Sequence, residues 1–184
     1  ASYLLGSIPF GIIFSKLFKL GNLSEIGSGN IGATNVLRTG NKFAAFLTLF
    51  LDGFKGFLAV YIFYSFLGLT AAQFSSIFVF LGHLLPVFNK FKGGKGVATF
   101  LGVIMALNFW LLFYSGLIWL IVAFLFKRSS LSSLISSSFT LILAFPLGLE
   151  NNLWVLIILV TGIFVSHRTN IVRLFNGLEP KIGE

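Results

Sequence analysis

Apolar residues in this chain come in long unbroken runs, not in alternation and not as single helical stripes. Crossing the hydrocarbon of a bilayer as a helix takes about 20 such residues. On that measure, segments 1–18, 43–67, 71–88, 97–107, 109–126, 131–149 and 153–166 read as seven membrane-spanning helices. The fourth and seventh are short, and only Asn108 parts the fourth from the fifth, so six spans is the alternative. Four polar stretches separate the runs: 19–42, 89–96, 127–130 and a tail from His167. Transmembrane β-strands would alternate apolar and polar positions, so a barrel is disfavoured. No repeat or linker divides the chain, and the serines of 129–138 suit close helix approach better than a linker. The expectation is an all-α integral membrane protein forming a single polytopic domain over residues 1–184.

Charge then orients the spans. Lys16, Lys19, Arg38 and Lys42 surround the first polar stretch. Lys90, Lys92 and Lys95 lie in the second, Lys127 and Arg128 in the third, and Arg168, Arg173 and Lys181 in the tail. With seven spans these twelve all fall on one face, and Lys55, in the middle of a span, is the exception among the thirteen Lys and Arg residues. Six spans would scatter them. Basic loops stay cytoplasmic, so the N-terminus is expected outside and the C-terminus and polar loops inside. Anionic lipid head groups account for some of that charge, Lys127 and Arg128 above all. For Arg173 and Lys181 a basic amphipathic tail lying on lipid is the expected role.

Composition agrees. The chain is 57% hydrophobic and 10% charged, with net charge +8 and mean hydropathy +0.98. A soluble domain carries roughly a quarter charged residues. No cysteine is present, which excludes disulfides, thiolate metal sites and an acyl-cysteine intermediate. Lysines follow the first apolar run and no small-residue cleavage site does, so it does not read as a cleavable signal peptide.

The polar stretches carry the chemistry. GSGNIG (27–32) has the form G-x-G-x-x-G, yet a membrane helix precedes it where the dinucleotide fingerprint needs a strand. Its physics still applies: glycines allow close approach to a ligand, and a short helix beginning at Ala33 would aim free N–H groups at an anion. Ser28, Asn30, Thr34 and Asn35 add neutral donors and Arg38 a bidentate cation. An ordinary turn needs Gly and Asn but not this density of donors. FKGGKGVAT (91–99) lacks the Ser or Thr and the glycine spacing of a P-loop; Lys95 between glycines at a helix entrance suits a phosphate, or simply snorkels. His83 lies in an apolar helix as a structural or a functional residue. Asp52 and Lys55, three apart within one span, read equally as a functional pair or a brace. No two acids are spaced to hold a metal, so metal-dependent phosphotransfer is not expected.

Taken together, LLGSIPFG (4–11), GSGNIGATN (27–35) with Arg38, GHLLPVF (82–88), GGKGVAT (93–99), HRTNI (167–171) and the NG-EPKIG ending resemble the bacterial acyl-phosphate-dependent glycerol-3-phosphate acyltransferases, the PlsY family. The resemblance runs from one end of the chain to the other. It implies transfer of a fatty acyl group from acyl-phosphate to the sn-1 hydroxyl of glycerol 3-phosphate, giving lysophosphatidic acid and phosphate at the cytoplasmic face of the bacterial inner membrane. The catalytic set it implies is Ser28, Arg38, His83, Lys95, His167 and Asn170. Substrate phosphate would be bound by Gly29, Asn30, Gly32, Thr34, Asn35, Gly93, Gly94, Gly96 and Thr99. Thr169 stands where similar sequences usually carry an acid, so no role is assigned there. The H-x₄-D pair of other glycerolipid acyltransferases is missing, since Phe88 and Val172 stand five residues after His83 and His167. Phosphate is a good leaving group, so positioning and electrostatics are expected to suffice, with the substrate assisting as base. Acyl-phosphate, glycerol 3-phosphate, the bilayer and an enzyme that makes acyl-phosphate are the expected partners. Nucleic acid, metal and other cofactors are not expected. A transporter of a phosphorylated metabolite is the alternative, but it predicts a mid-membrane site in related halves.

Overall fold

The computed structural model describes residues 1–182; Gly183, the last residue of the NG-EPKIG ending, lies outside that range, as does Glu184. Nine α-helices are formed among the described residues, with no strand. They are α1 (Ser2–Gly6), α2 (Phe10–Leu17), α3 (Ala33–Leu37), α4 (Lys42–Leu84), α5 (Val97–Leu107), α6 (Phe109–Phe126), α7 (Ser129–Leu143), α8 (Leu153–Ser166) and α9 (Arg168–Phe175).

Two expected spans are altered, the first and the sixth, and the connection between the second and third is shortened. The first is not one helix: Pro9 has no N–H and disfavours helical backbone at Ile8, so the chain breaks between α1 and α2. The Ile8 carbonyl so exposed accepts from Phe10 N at 3.2 Å and from Lys55 Nζ at 2.8 Å. The second and third spans are both present within α4, which doubles back at Gly68 so that His83 near its end lies 3.5 Å from Asp52 in its first half. The connection expected near 68–70 shrinks to a single break at Gly68, whose φ of 80° and ψ of −172° only glycine adopts readily. The sixth span begins at Ser129 and stops at Leu143, with turns from 144 to 149. By length and composition, the stretch Lys42–Asn89 and helix Phe109–Phe126 can each cross a membrane; α8 and α9, bent by 61°, make a third if counted together. α5 and α6 fall where expected, parted by Asn108, whose side chain accepts from Leu111 N at 3.1 Å and caps α6.

Packing brings backbones together where a membrane core gives little hydrophobic drive between helices. A Cβ on Gly102 of α5 would overlap the Gly53 carbonyl of α4, and one on Gly56 would overlap that of Thr99. Val79, Phe80, Phe100, Val103, Leu156 and Leu159 form the main core, joining the second half of α4 to α5 and α8. A smaller cluster of Phe14, Leu23, Val36, Ala44 and Ala45 seats α3 on α2 and the start of α4. As expected, serines join α6 to α7: Ser133 Oγ accepts from Trp119 Nε1 at 3.1 Å, and Ser130, Ser132, Ser136 and Ser137 are buried. Phe66, Phe124 and many other large apolar side chains are exposed on the outside, the surface a bilayer would cover.

Candidate active site

The three motif-bearing stretches converge on one cavity of about 410 Å³. Loop 28–38, the first turns of α4, His83, the entrance to α5, the α6–α7 pair, the α8–α9 corner and the tail all line it. Ser28, Arg38, His83, Lys95, His167 and Asn170 are all in the lining, as are Asn30, Gly32, Thr34, Asn35 and Gly96.

The first loop is built around Asn35, which is buried. Its Oδ1 accepts from Ser28 N at 3.1 Å, Ser28 Oγ at 3.4 Å and Arg38 Nη1 at 3.5 Å, while its Nδ2 donates to the Leu23 carbonyl at 2.9 Å. Asn35 therefore organises the loop and aims Arg38, rather than meeting a ligand as an unengaged donor. Gly27 and Gly29 turn the chain with φ of 50° and 69°. Thr34 Oγ1 lies 3.3 Å from Ser129 Oγ, tying the loop to α7. The helix begun at Ala33 does form, but it is five residues long, so anion attraction rests on cations and hydroxyls more than on its terminus.

Four expected phosphate ligands lie outside the lining. Gly29 faces the Ser24 carbonyl, and a Cβ on Gly93 would overlap the carbonyls of His83 and Leu84. Gly94 donates its N–H to the His83 carbonyl at 3.2 Å and lies under the His83 ring, where a side chain would collide. Thr99 Oγ1 donates to the Asp52 carbonyl at 3.0 Å. These residues shape the walls: the glycines let the loop pass against α4, and the threonine clasps α5 to it.

Lys95 is the centre of positive charge. Burial lowers its pKa to about 8; Glu179 draws it upward, while Arg173 and Arg38 push it down. It stays mostly protonated at neutral pH, and among the described residues its ammonium makes no hydrogen bond or ion pair. His167 Nδ1 lies 2.8 Å from the Ile163 carbonyl. Burial and the nearby Lys95 lower its pKa to about 4, so the ring is neutral. Asp52 pairs with Lys55 at 2.6 Å and lies 3.5 Å from His83 Nδ1. The brace reading thus holds for Lys55, which also reaches the Ile8 carbonyl, while the same carboxylate faces His83 and the cavity.

Glu179 belongs to the NG-EPKIG ending but carries no role in the expected site. It is buried, lines the cavity, and accepts from Asn170 Nδ2 at 2.6 Å and Arg173 Nε at 2.8 Å. Burial works against its charge, but these bonds outweigh it and hold its pKa below the usual range. Arg173 is thereby a partner of the site and not merely a lipid-facing cation. The sequence signals were the NG-EPKIG ending itself and an acid within a basic tail. Trp119, Ser129, Ser130 and Ser133 also line the cavity, from helices whose sequence spoke only of packing.

Relatives match this arrangement along the whole chain. The sequence profile of the glycerol-3-phosphate acyltransferase family fits residues 1–177. Proteins named glycerol-3-phosphate acyltransferase from Jannaschia sp. (strain CCS1) and Dinoroseobacter shibae are 53% and 52% identical, each over the full chain and 90% of the relative. The chain belongs to the PlsY family of glycerol-3-phosphate acyltransferases. A crystal structure of PlsY, an integral membrane glycerol 3-phosphate acyltransferase in its glycerol 3-phosphate form, superposes with a TM-score of 0.94. It is 40% identical, over 99% of this chain and 92% of that one. The lysophosphatidic acid form gives 0.91 at 38% identity, with the same coverage. Membership in the PlsY family makes the chain an integral membrane acyltransferase of phospholipid synthesis, and the cavity is its candidate active site.

Proposed function

We propose that the chain transfers a fatty acyl group from acyl-phosphate to the sn-1 hydroxyl of glycerol 3-phosphate, releasing lysophosphatidic acid and phosphate. The observation that carries this reading is the half-buried ammonium of Lys95, which makes no ion pair among the described residues, in a cavity shared with Arg38. Two cations lining one cavity suit two phosphate groups, one on each substrate. Ser28, Asn30 and Thr34 supply further donors at the same wall, and Ala45, Phe46, Leu49, Val97, Ala98 and Trp119 an apolar wall for the acyl chain.

The chemistry follows from the donor. The sn-1 hydroxyl oxygen attacks the acyl carbonyl carbon, and the bond from that carbon to the phosphate oxygen breaks. Developing charge on the carbonyl oxygen and the leaving phosphate is stabilised by Lys95 and Arg38. A phosphate oxygen, with a second pKa of about 6, takes the hydroxyl proton, so inorganic phosphate leaves with it. The neutral His167 and the His83–Asp52 pair orient groups and need not act as the base. The chain crosses the bacterial cytoplasmic membrane seven times as one domain, with its N-terminus outside and the cavity facing the cytoplasm, where an acyl-phosphate-producing enzyme can dock. Support for that orientation comes from the basic residues beside the cavity-lining loops. Purified protein in lipid nanodiscs, given glycerol 3-phosphate with either acyl-phosphate or acyl-coenzyme A, tests the donor. Lysophosphatidic acid is expected from acyl-phosphate alone; faster formation from acyl-coenzyme A would overturn the reading.

A further inference from the structure

Of the sequence motifs, LLGSIPFG (4–11) alone contributes no residue to the cavity. It nonetheless touches two stretches that do. A Cβ on Gly11 would overlap the Ile31 carbonyl of the first loop, and Ser7 Oγ accepts at 3.4 Å from Val87 N, in the stretch leading to Lys95. Its proline breaks the first span, and the Ile8 carbonyl so freed accepts from Lys55 Nζ at 2.8 Å. The same ammonium lies 5.6 Å from the centre of the Phe10 ring and 2.6 Å from Asp52 Oδ1. Lys55 is buried and held on three sides.

Asp52 passes that hold to the Lys95 loop at both of its ends. Its Oδ1 lies 3.5 Å from His83 Nδ1, and the far edge of that ring, at Nε2, lies against Gly94, where a Cβ would collide. Gly94 N also donates to the His83 carbonyl at 3.2 Å, and Gly94 immediately precedes Lys95. Beyond the lysine, Thr99 Oγ1 donates to the Asp52 carbonyl at 3.0 Å. Ser166 Oγ donates to the carbonyl of Lys95 itself, also at 3.0 Å. A buried ion pair is a costly way to hold helices together, since an apolar pair of the same volume is often as stable or more so. Within a membrane span the cost is greater still. Stability alone therefore does not explain Asp52 and Lys55. Orientation does, because Lys55 and His83 share one carboxylate oxygen: the ammonium fixes where that oxygen lies, and the oxygen fixes how the ring lies under Gly94.

We infer that Lys55 is a positioning residue for the acyl transfer, acting through Asp52, His83 and Gly94 to aim Lys95 at the substrate phosphates. The inference rests on the role given to Lys95 above. It makes the broken first span a support of the site: Pro9 frees a carbonyl, the carbonyl seats Lys55, and Lys55 sets the carboxylate on which the Lys95 loop is hung.

The test measures lysophosphatidic acid formation from acyl-phosphate and glycerol 3-phosphate in nanodiscs, with Tm recorded for each variant. Lys55→Met should lower kcat/KM about tenfold to a hundredfold, the scale of a misplaced catalytic group. On a Lys95→Ala background the same change should cost less than about threefold more, because residues that act as a unit are not additive. The alkaline decline above about pH 8 belongs to Lys95 and should flatten in Lys55→Met, which leaves Glu179, Arg173 and Arg38 around that lysine unchanged. A merely structural role would lower activity alike in both backgrounds and keep the decline. Should Lys55→Met fail to fold, the double variant Asp52→Asn with Lys55→Met decides, since it buries no unpaired charge. It should fold, lose about tenfold or more in kcat/KM, and add less than about threefold to Lys95→Ala. Wild-type activity in the neutral pair, full additivity with Lys95→Ala, or a neutral pair that cannot fold would each overturn the inference. No product from wild type would sink the proposed reaction; wild-type turnover that these variants leave unaltered would sink the inference alone.

Discussion

Replacing Lys95 by alanine removes a half-buried ammonium that makes no hydrogen bond or ion pair among the described residues. Unit charges about 4 Å apart at an effective dielectric of about 20 interact by roughly 4 kcal/mol. Water entering the space left by the side chain returns part of that, leaving a loss of about 3 kcal/mol. Such a loss, comparable to removing one donor to a developing oxyanion, corresponds to on the order of a hundredfold in kcat/KM. Lys127 is the control: it leaves the α6 terminus, its carbonyl accepts from Ile182 N at 2.7 Å, and it is not in the cavity lining. Lys127→Ala keeps that carbonyl and should stay within about twofold of wild type. The pH profile adds a second reading. The Lys95 pKa of the free protein is lowered to about 8, so the ammonium is present below that value and is lost as pH rises through it. Wild-type kcat/KM should therefore decline above about pH 8. Lys95→Arg retains its proton there and should be slower but lack that alkaline decline. Phosphate release from acyl-phosphate, dependent on glycerol 3-phosphate, is the assay. Equal damage from the Lys127 and Lys95 changes, or an unaltered alkaline limb in Lys95→Arg, would refute the reasoning.

Other outcomes are equally definite. In this cysteine-free chain, Asn41→Cys and Asn89→Cys should resist an impermeant thiol reagent in intact cells while Asn151→Cys reacts; the opposite pattern would invert the topology. Gly102→Val should unfold the α4–α5 contact, because any Cβ there overlaps the Gly53 carbonyl, and should lower Tm by several degrees or abolish expression; an unchanged melting curve would show that the helices do not meet so closely. His83→Gln and His167→Asn retain hydrogen bonding without a basic ring and should keep substantial turnover. His167, with its pKa near 4, should contribute no acidic limb between pH 5 and 8. Turnover at background in either variant, with loss of the wild-type acidic limb, would identify that histidine as the base.

Much of the site was legible because its cations and glycines interrupt an otherwise apolar chain. Arg38, Lys95, His167 and Asn170 stand out in sequence for that reason, and all reach one cavity. What spacing could not reveal is how a polar side chain is engaged. Asn35 looks like a ligand donor until Leu23, Ser28 and Arg38 are seen around it, and Thr99 until its hydroxyl is found on the Asp52 carbonyl. Glycine is similarly ambiguous: Gly93 and Gly94 serve close backbone passage beside His83, not direct approach to a ligand. Long-range pairing hid Glu179, which lies nine residues from Asn170 and across a turn. Hydropathy located the helical segments but not their continuity, since one glycine suffices to break α4 where a loop was expected, and one proline divides the first span.

The central claim is acyl transfer from acyl-phosphate with phosphate as the leaving group, and product stoichiometry tests it most directly. Purified protein in nanodiscs, supplied with acyl-phosphate and glycerol 3-phosphate, should form lysophosphatidic acid and inorganic phosphate in equal amounts, each dependent on both substrates. Phosphate released without glycerol 3-phosphate at the same rate, or no lysophosphatidic acid above the Lys95→Ala background, would contradict it.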